Sequence, residues 1–306
     1  MESFLTASII AGTPLLLAIL GEIITEKSGS LNLGVEGMML MGAIGGFATA
    51  YYTDSALIAL LAAMFCGGLG ALIFGFITVT LRANQTVTGL ALTIFGTGVS
   101  NYFGSGFVGK VVPEGVKKSF AIVKIPVLGD IPFVGSFLFT QSTFIYLSYI
   151  LVIIAGIYLY HTRHGLYLSA IGENPAAADS AGIKVSLYKY VHIAVGGMLC
   201  GLSGAFLSLI YVPAWQENLS AGRGWIAVAL VIFCKWNPFM TFIGAYLFGG
   251  LDIVGFRLQQ YDIHVSQYII NMLPYVITIS MLIFASVRGK SRGPKSLGLN
   301  YFREDR

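Results

Sequence analysis

Long stretches without charge constrain this chain more than any other feature. Asp, Glu, Lys and Arg are nearly absent over residues 3–21, 37–53, 55–81, 86–109, 131–160, 191–216, 236–251 and 265–287. Several of these runs exceed the roughly 18–20 apolar residues with which a helix crosses about 30 Å of hydrocarbon. Only 10% of the 306 residues are charged and 56% are hydrophobic. Soluble proteins carry about 25% charged residues, so this composition cannot cover a water-facing surface. Strands of a membrane barrel would alternate over segments of about ten residues, and these runs do not. The expected fold is an all-α polytopic membrane protein. It forms a single domain over residues 1–306, a bundle of about 8–10 transmembrane helices.

The spans read as 3–25, 35–53, 55–81, 86–105, 142–161, 187–212, 224–234, 237–257 and 266–287. The first is no cleaved signal peptide: no cation precedes it, it is too long, and it ends in Gly21-Glu22. Arg288, Lys290, Arg292, Lys295, Arg303 and Arg306 crowd the tail 288–306, which marks a cytoplasmic flank. That position explains the cations without a nucleic-acid partner. Counting back, nine crossings put the N-terminus outside. Lys27, Arg82, Arg163, Lys184, Lys189, Lys235 and the tail then make twelve cations inside. Lys110, Lys117, Lys118, Lys124, Arg223 and Arg257 make six outside. The run 224–234 is too short to span. It suits half of a broken or re-entrant helix, which protein or water must cover, and 26–36 raises the same question. The loop 106–141, with Pro113, Pro126, Pro132 and the patch IPFVGSFLF, is expected outside over the mouth of the bundle, the patch as a short interfacial helix. Close helix packing is expected at Gly42, Gly46, Gly197, Gly201 and Gly204. Cys66, Cys200 and Cys234 all lie in apolar runs and read as small buried hydrophobes.

Chemistry is sparse. GSGFVGKV (104–111) nearly matches a phosphate-binding loop, but Val111 stands where a hydroxyl must hold Mg²⁺ and no strand precedes it. His161 and His164 share a helix face without a carboxylate or cysteine nearby and read as interfacial anchors. No catalytic set stands out, so no enzyme activity and no cofactor are expected on this chain. Polar residues inside apolar runs are costly there and tend to face a bundle interior or a water-filled path. One such cluster is GEIITEKSGSLNLGVEG (21–37), with Glu22, Glu26, Asn32 and Glu36. The other is RANQTVTGLALTIFGTGVSN (82–101), with Asn84, Gln85, Thr88 and Asn101. Gly29, Gly34 and Gly37 suggest unwound backbone that exposes N–H and C=O groups to a path. Glu26, Lys27 and Arg82 fit loop ends and interfacial anchors better. Asn32, Glu36, Asn84 and Thr88 suit a cap and a path residue equally.

GLYLSAIGENPAAADSAGIKV (165–185) is polar and lies between two apolar runs, inside by the count above. Asn174 caps a short helix, Pro175 takes its first position, where a missing N–H costs nothing, and Gly182 ends it. Its exposed face is small: Ala176, Ala177, Ala178 and Ala181. That suits close approach by a partner that pushes the bundle, and equally a plain surface loop.

GENPAAADSAGIKV resembles the coupling segment of permease subunits of ABC importers in the branched-chain amino acid/ribose permease superfamily. More narrowly, the chain is similar to nucleoside-type permeases that work with a BmpA-like lipoprotein receptor. GEIITEKSGSLNLGVEGMMLMGA (21–43), NQTVTGLALTIFGTG (84–98), GRGWIAVALVIFCKWNP (222–238) and QYIINMLPYVIT (267–278) carry the likeness over nearly the whole chain. Ser169 and Cys234 depart from the Arg and Gly common there. The resemblance implies pairing with a second, non-identical permease and docking of ATPase subunits that hold ATP and Mg²⁺. The coupling segment, within 162–186, would be Gly172, Glu173, Asn174, Pro175, Ala176, Ala177, Ala178 and Gly182. A lipid-anchored binding protein would deliver nucleosides outside, and the path would be lined by Glu22, Asn32, Glu36, Asn84, Gln85, Thr88 and Asn101. The setting would be a bacterial cytoplasmic membrane. Rival readings are a sugar or branched-chain amino acid permease of the same superfamily, and an ion-coupled carrier or channel.

Overall fold

A computed structural model describes residues 2–132, 134–260, 272–280, 283 and 293–302. The tail cations other than Lys295 lie outside the described residues, as does most of the expected span 266–287. Among the described residues, four helices are long and apolar enough to cross a membrane. They are α1 (Glu2–Glu26), α3 (Ala56–Gly75, continued by a wide π turn to Thr80), α7 (Thr143–His161) and α10 (Val185–Phe206, continued likewise to Tyr211). Two helices of similar length but lower apolarity, α2 (Val35–Thr53) and α4 (Gln85–Gly104), pack among them. Residues 272–280 are also helical.

The core forms where backbones touch. A Cβ added to Gly42 would strike the backbone of Gly201, one on Gly201 the Ala63 carbonyl, and one on Gly204 the Met39 carbonyl. α2, α3 and α10 thus meet at glycine, as close helix approach in a membrane requires. α1 runs antiparallel to α12 (Thr241–Gln260) with Gly12 against Ala245 and Gly249 against Ser8. Pro14 breaks the bond pattern inside α1, and Ser203 Oγ donates to its carbonyl at 2.6 Å from α10.

The connections sort onto two faces. Residues 27–31, 82–85, 235–237 and 293–302 share one, the tail face, with α8 (Arg163–Glu173) and α9 (Pro175–Ser180). The N-terminus, Asp54 and the loop 106–141 share the other. In that loop α5 (Glu114–Ser119) is held by Asp54, which accepts from Val116 N–H at 3.0 Å. A short ribbon pairs β1 (Ile122–Lys124) with β2 (Thr140–Ser142), which composition did not disclose. Val134–Leu138 within the apolar patch is helical (α6). α11 (Arg223–Phe233) is eleven residues long, about 16 Å at 1.5 Å per residue, and so reaches only halfway through the bundle.

Candidate functional site

Residues 27–34 join α1 to α2 without helix. Gly29 has φ +80°, which glycine adopts without steric cost. Asn32 organises the stretch. Its N–H donates to Glu22 Oε1 at 3.1 Å, its side-chain oxygen accepts from Gly34 N–H at 2.9 Å, and its amide reaches Met38 Sδ at 3.5 Å. Leu31 N–H donates to Gln85 Oε1 at 2.7 Å. α2 therefore starts inside the bundle, with Gly37 against Leu92, two turns into α4.

The start of α11 meets the start of α2 there. Glu36 Oε1 accepts from Ser220 Oγ at 2.6 Å and from Gly222 N–H at 2.8 Å, and Oε2 accepts from Gly224 N–H at 2.6 Å. A buried carboxylate thus caps the exposed amides and positive dipole end of a half-length helix. From this point α11 descends to the tail face, where Trp236 Nε1 donates to Glu26 Oε2. Lys235 and Trp236, with φ of 52° and 54°, turn the chain into α12. The expectation of a broken helix over 224–234 is met.

The segment leading to α11 is unwound and dips inward. Its upper end is fixed at the loop face: Trp215 N–H donates to the Lys110 carbonyl at 2.9 Å, and the Trp215 carbonyl accepts from Gly109 N–H at 3.1 Å. Its lower end is at Glu36. Gln216, Glu217 and Asn218 between them are exposed, and Asn218, Ala221 and Gly222 all have positive φ. Arg223 follows. It pairs with Asp252 at 3.1 Å and lies over the Tyr211 ring at 5.1 Å. Asp252 stands eleven residues into α12, about 16 Å above its start. This corrects the expectation that Arg223 lies outside: it sits at mid-depth. Hydropathy cannot separate a loop over the surface from one that dips. The two side chains remain 15% and 24% exposed. A charge at the bilayer centre costs about 2.5–3.5 kcal/mol, so this face does not look onto hydrocarbon. Tyr275, exposed beside Gly222, completes the cluster.

The residues singled out from sequence divide accordingly. Glu22 and Asn32 bond to each other, and Glu36 holds α11. Gln85 is buried at a junction between Leu31 and the C-terminal segment, where its amide donates to Asn300 Oδ1 at 3.2 Å. Asn84 is an exposed N-cap that accepts from Val87 N–H at 3.0 Å. Thr88 Oγ1 donates to the carbonyl of Asn84 at 2.8 Å, within its own turn. Asn101 is far along α4, about 26 Å from Asn84 by helix rise. Sequence reading did not single out Arg223, Asp252, Tyr211, Tyr275 or the dip; an apolar run too short to span was the available signal. Lys110, in the phosphate-loop lookalike, lies over the Tyr51 ring at 4.8 Å. His164 Nδ1 and Tyr188 Oη are 2.8 Å apart. Among the described residues no three His, Cys, Asp or Glu side chains gather as a metal site.

At the tail face α8 and α9 form the short polar segment. Thr162 caps α8 through Gly165 N–H at 3.1 Å, and Asn174 caps α9 through Ala177 N–H at 3.0 Å with Pro175 next. Gly182, at φ +82°, closes it. Glu173, Asn174, Ala177, Ala181 and Gly182 are exposed, and Pro175 and Ala176 half-buried. Ala178 differs from expectation. It is buried against Ile171 and Val185, because the face of α9 that carries it rests on α8 and α10. Gly172 is also buried, against the Lys27 carbonyl. Burial pushes the Lys27 ammonium below its ordinary range, while the Glu173 carboxylate opposes that shift.

The chain is similar along most of its length to known proteins. The family "branched-chain amino acid transport system / permease component" matches over residues 4–285. TsgC13 of Haloferax volcanii, provisionally named a glucose ABC transporter permease protein, is 37% identical over 98% of this chain and 97% of its own. Guanosine ABC transporter permease protein NupQ of Bacillus subtilis is 32% identical over 98% of this chain and 96% of its own. Nucleoside ABC transporter permease protein NupC of Lactococcus lactis is 31% identical over 96% of this chain and 95% of its own.

Proposed function

The chain belongs to the branched-chain amino acid transport system / permease component family, and from that membership we propose that it is the membrane subunit of an ATP-driven importer of nucleosides. Near full-length likeness to two nucleoside permeases carries the substrate class. It pairs with a second, non-identical permease and with ATPase subunits that bind ATP and Mg²⁺; this chain binds no cofactor. A lipid-anchored receptor supplies substrate at the loop face. The complex sits in a bacterial cytoplasmic membrane with the tail cytoplasmic, the side that carries the basic flank.

Transport is by alternating access. The motor acts on Glu173, Asn174, Pro175, Ala176, Ala177 and Gly182, with Gly172 and Ala178 as the inner support of that surface. The path runs over Glu36, the dip and Arg223–Asp252, with Glu22 and Asn32 shaping its wall and Thr88, Asn84 and Asn101 along α4. Tyr211 and Tyr275 offer rings for a base to stack on, and the ion pair offers donors and acceptors for sugar hydroxyls. Such contacts suit a nucleoside, which is uncharged and has both parts.

A sugar importer is the second reading, favoured by the 37% relative named for glucose. Uptake of radiolabelled guanosine by cells that express the whole importer separates the two. Excess uridine or adenosine is expected to reduce it and excess glucose to leave it unchanged; no guanosine uptake, with radiolabelled glucose taken up instead, assigns a sugar. Within the path, Arg223→Ala and Asp252→Ala should each lower uptake about tenfold or more, because each strands a charge. The double variant should be no worse than either single one. Additive losses would show that the two do not act as a pair.

A further inference from the structure

The C-terminal segment 293–302 does more than anchor the end of the chain. Ser296 N–H donates to the Gly172 carbonyl at 2.9 Å, and its hydroxyl donates to the same oxygen at 2.6 Å, at the end of α8. Gly298 N–H donates to the Gly29 carbonyl at 3.2 Å in the unwound stretch between α1 and α2. Asn300 donates its amide to the Arg82 carbonyl at 2.6 Å and accepts from Gln85 at 3.2 Å, at the turn between α3 and α4. Tyr301 Oη donates to Asp179 Oδ2 on α9 at 2.8 Å. The Arg82 guanidinium lies 4.8 Å from the Phe302 ring centre. One strap therefore touches the surface offered to the motor and the two turns from which α2 and α4 set out.

We infer that this strap is the tie rod of the transporter: Tyr301 and Asn300 transmit movement of α9 to the Gln85–Leu31 junction, and so to the start of α2 where Glu36 holds α11. The inference rests on the reading of 165–184 as the coupling segment. The physical basis is stiffness. α9 is six residues long and its inner face touches the bundle through a small cluster of Ile171, Ala178 and Val185. A short helix on so small a base tilts under load unless it is tied down, and Tyr301, whose ring packs against the same cluster, ties Asp179 to the strap. From Asn300 the load passes through Gln85 to Leu31, one residue from Asn32, which sets the entry of α2. Chains of hydrogen bonds and packed side chains carry energetic coupling between distant sites, and from Asp179 to Leu31 every link here is a hydrogen bond or the chain itself.

Tyr301 and Asn300 are positioning residues, so the informative quantity is solute moved per ATP hydrolysed. The complete importer carrying Asn300→Ala and Tyr301→Phe together, in proteoliposomes with radiolabelled guanosine, is expected to hydrolyse ATP at least as fast as wild type. Guanosine moved per ATP should fall about tenfold. Tyr301→Phe alone removes a single hydroxyl and leaves the ring packed; it should lower the ratio about threefold. An unchanged ratio in both variants overturns the proposal, as does a loss of uptake matched by an equal loss of hydrolysis. A wild-type complex that hydrolyses ATP without moving guanosine counts against the substrate assignment and not against the strap, whose ratio is then read with glucose.

Discussion

Replacing Glu36 with alanine is expected to abolish uptake. The carboxylate takes three donors at mid-depth: Ser220 Oγ, Gly222 N–H and Gly224 N–H. Removal strands two buried donors and one part-buried donor, Gly222 N–H, at about 1–3 kcal/mol for each buried one. The start of α11 then loses both its cap and its link to α2, and the ion pair one residue along shifts with it. Uptake should fall well over tenfold while the protein still reaches the membrane, since the glycine-packed core of α2, α3 and α10 is untouched. Glutamine is no conservative replacement here. Its NH₂ would face an N–H or a hydroxyl already oriented as a donor, so Glu36→Gln should also lose most uptake. Near wild-type transport by both variants would mean that α11 is held by something other than this carboxylate.

The second large effect lies in the core. Gly204→Leu should yield no folded protein, because a Cβ at that position would lie against the Met39 carbonyl and α2 and α10 would have to separate. Added bulk in a packed interior costs about 1–3 kcal/mol even where side chains can give way, and here the obstacle is backbone. Gly201→Val should behave alike, for the same reason at Ala63. Gly106→Ala serves as the control, since nothing lies within 4 Å of a Cβ there. Size-exclusion profiles of detergent extracts would read the result. A sharp peak for Gly204→Leu at wild-type yield would show that the helices do not meet at glycine.

These two sites also mark what the sequence made legible. Glycine spacing pointed to the helix contacts, and uncharged runs pointed to the spans, because hydrocarbon permits few alternatives. The capped segment 165–185 was equally plain, since Asn174, Pro175 and Gly182 are local signals. Ala178 was misplaced because six residues of helix do not reveal which side rests on the protein. Arg223 was misplaced because a dip and a surface loop have the same composition. The strap was hidden for another reason. Tyr301 bonds to a residue 122 positions away and Asn300 to one 218 positions away, and no periodicity announces pairings so distant. Glu36 stood out as a costly charge in an apolar run, but its partners on 220–224 could be named only from the fold.

The central claim is that this chain moves solute only when a separate ATPase drives it through the segment around Asn174. The most direct measurement is guanosine uptake into ATP-supplied proteoliposomes, with the two permeases alone and with the ATPase subunits added. Uptake is expected only in the second case, and vanadate or removal of Mg²⁺ should stop it. Equal uptake by the permeases alone would contradict the account and indicate a channel or an ion-coupled carrier.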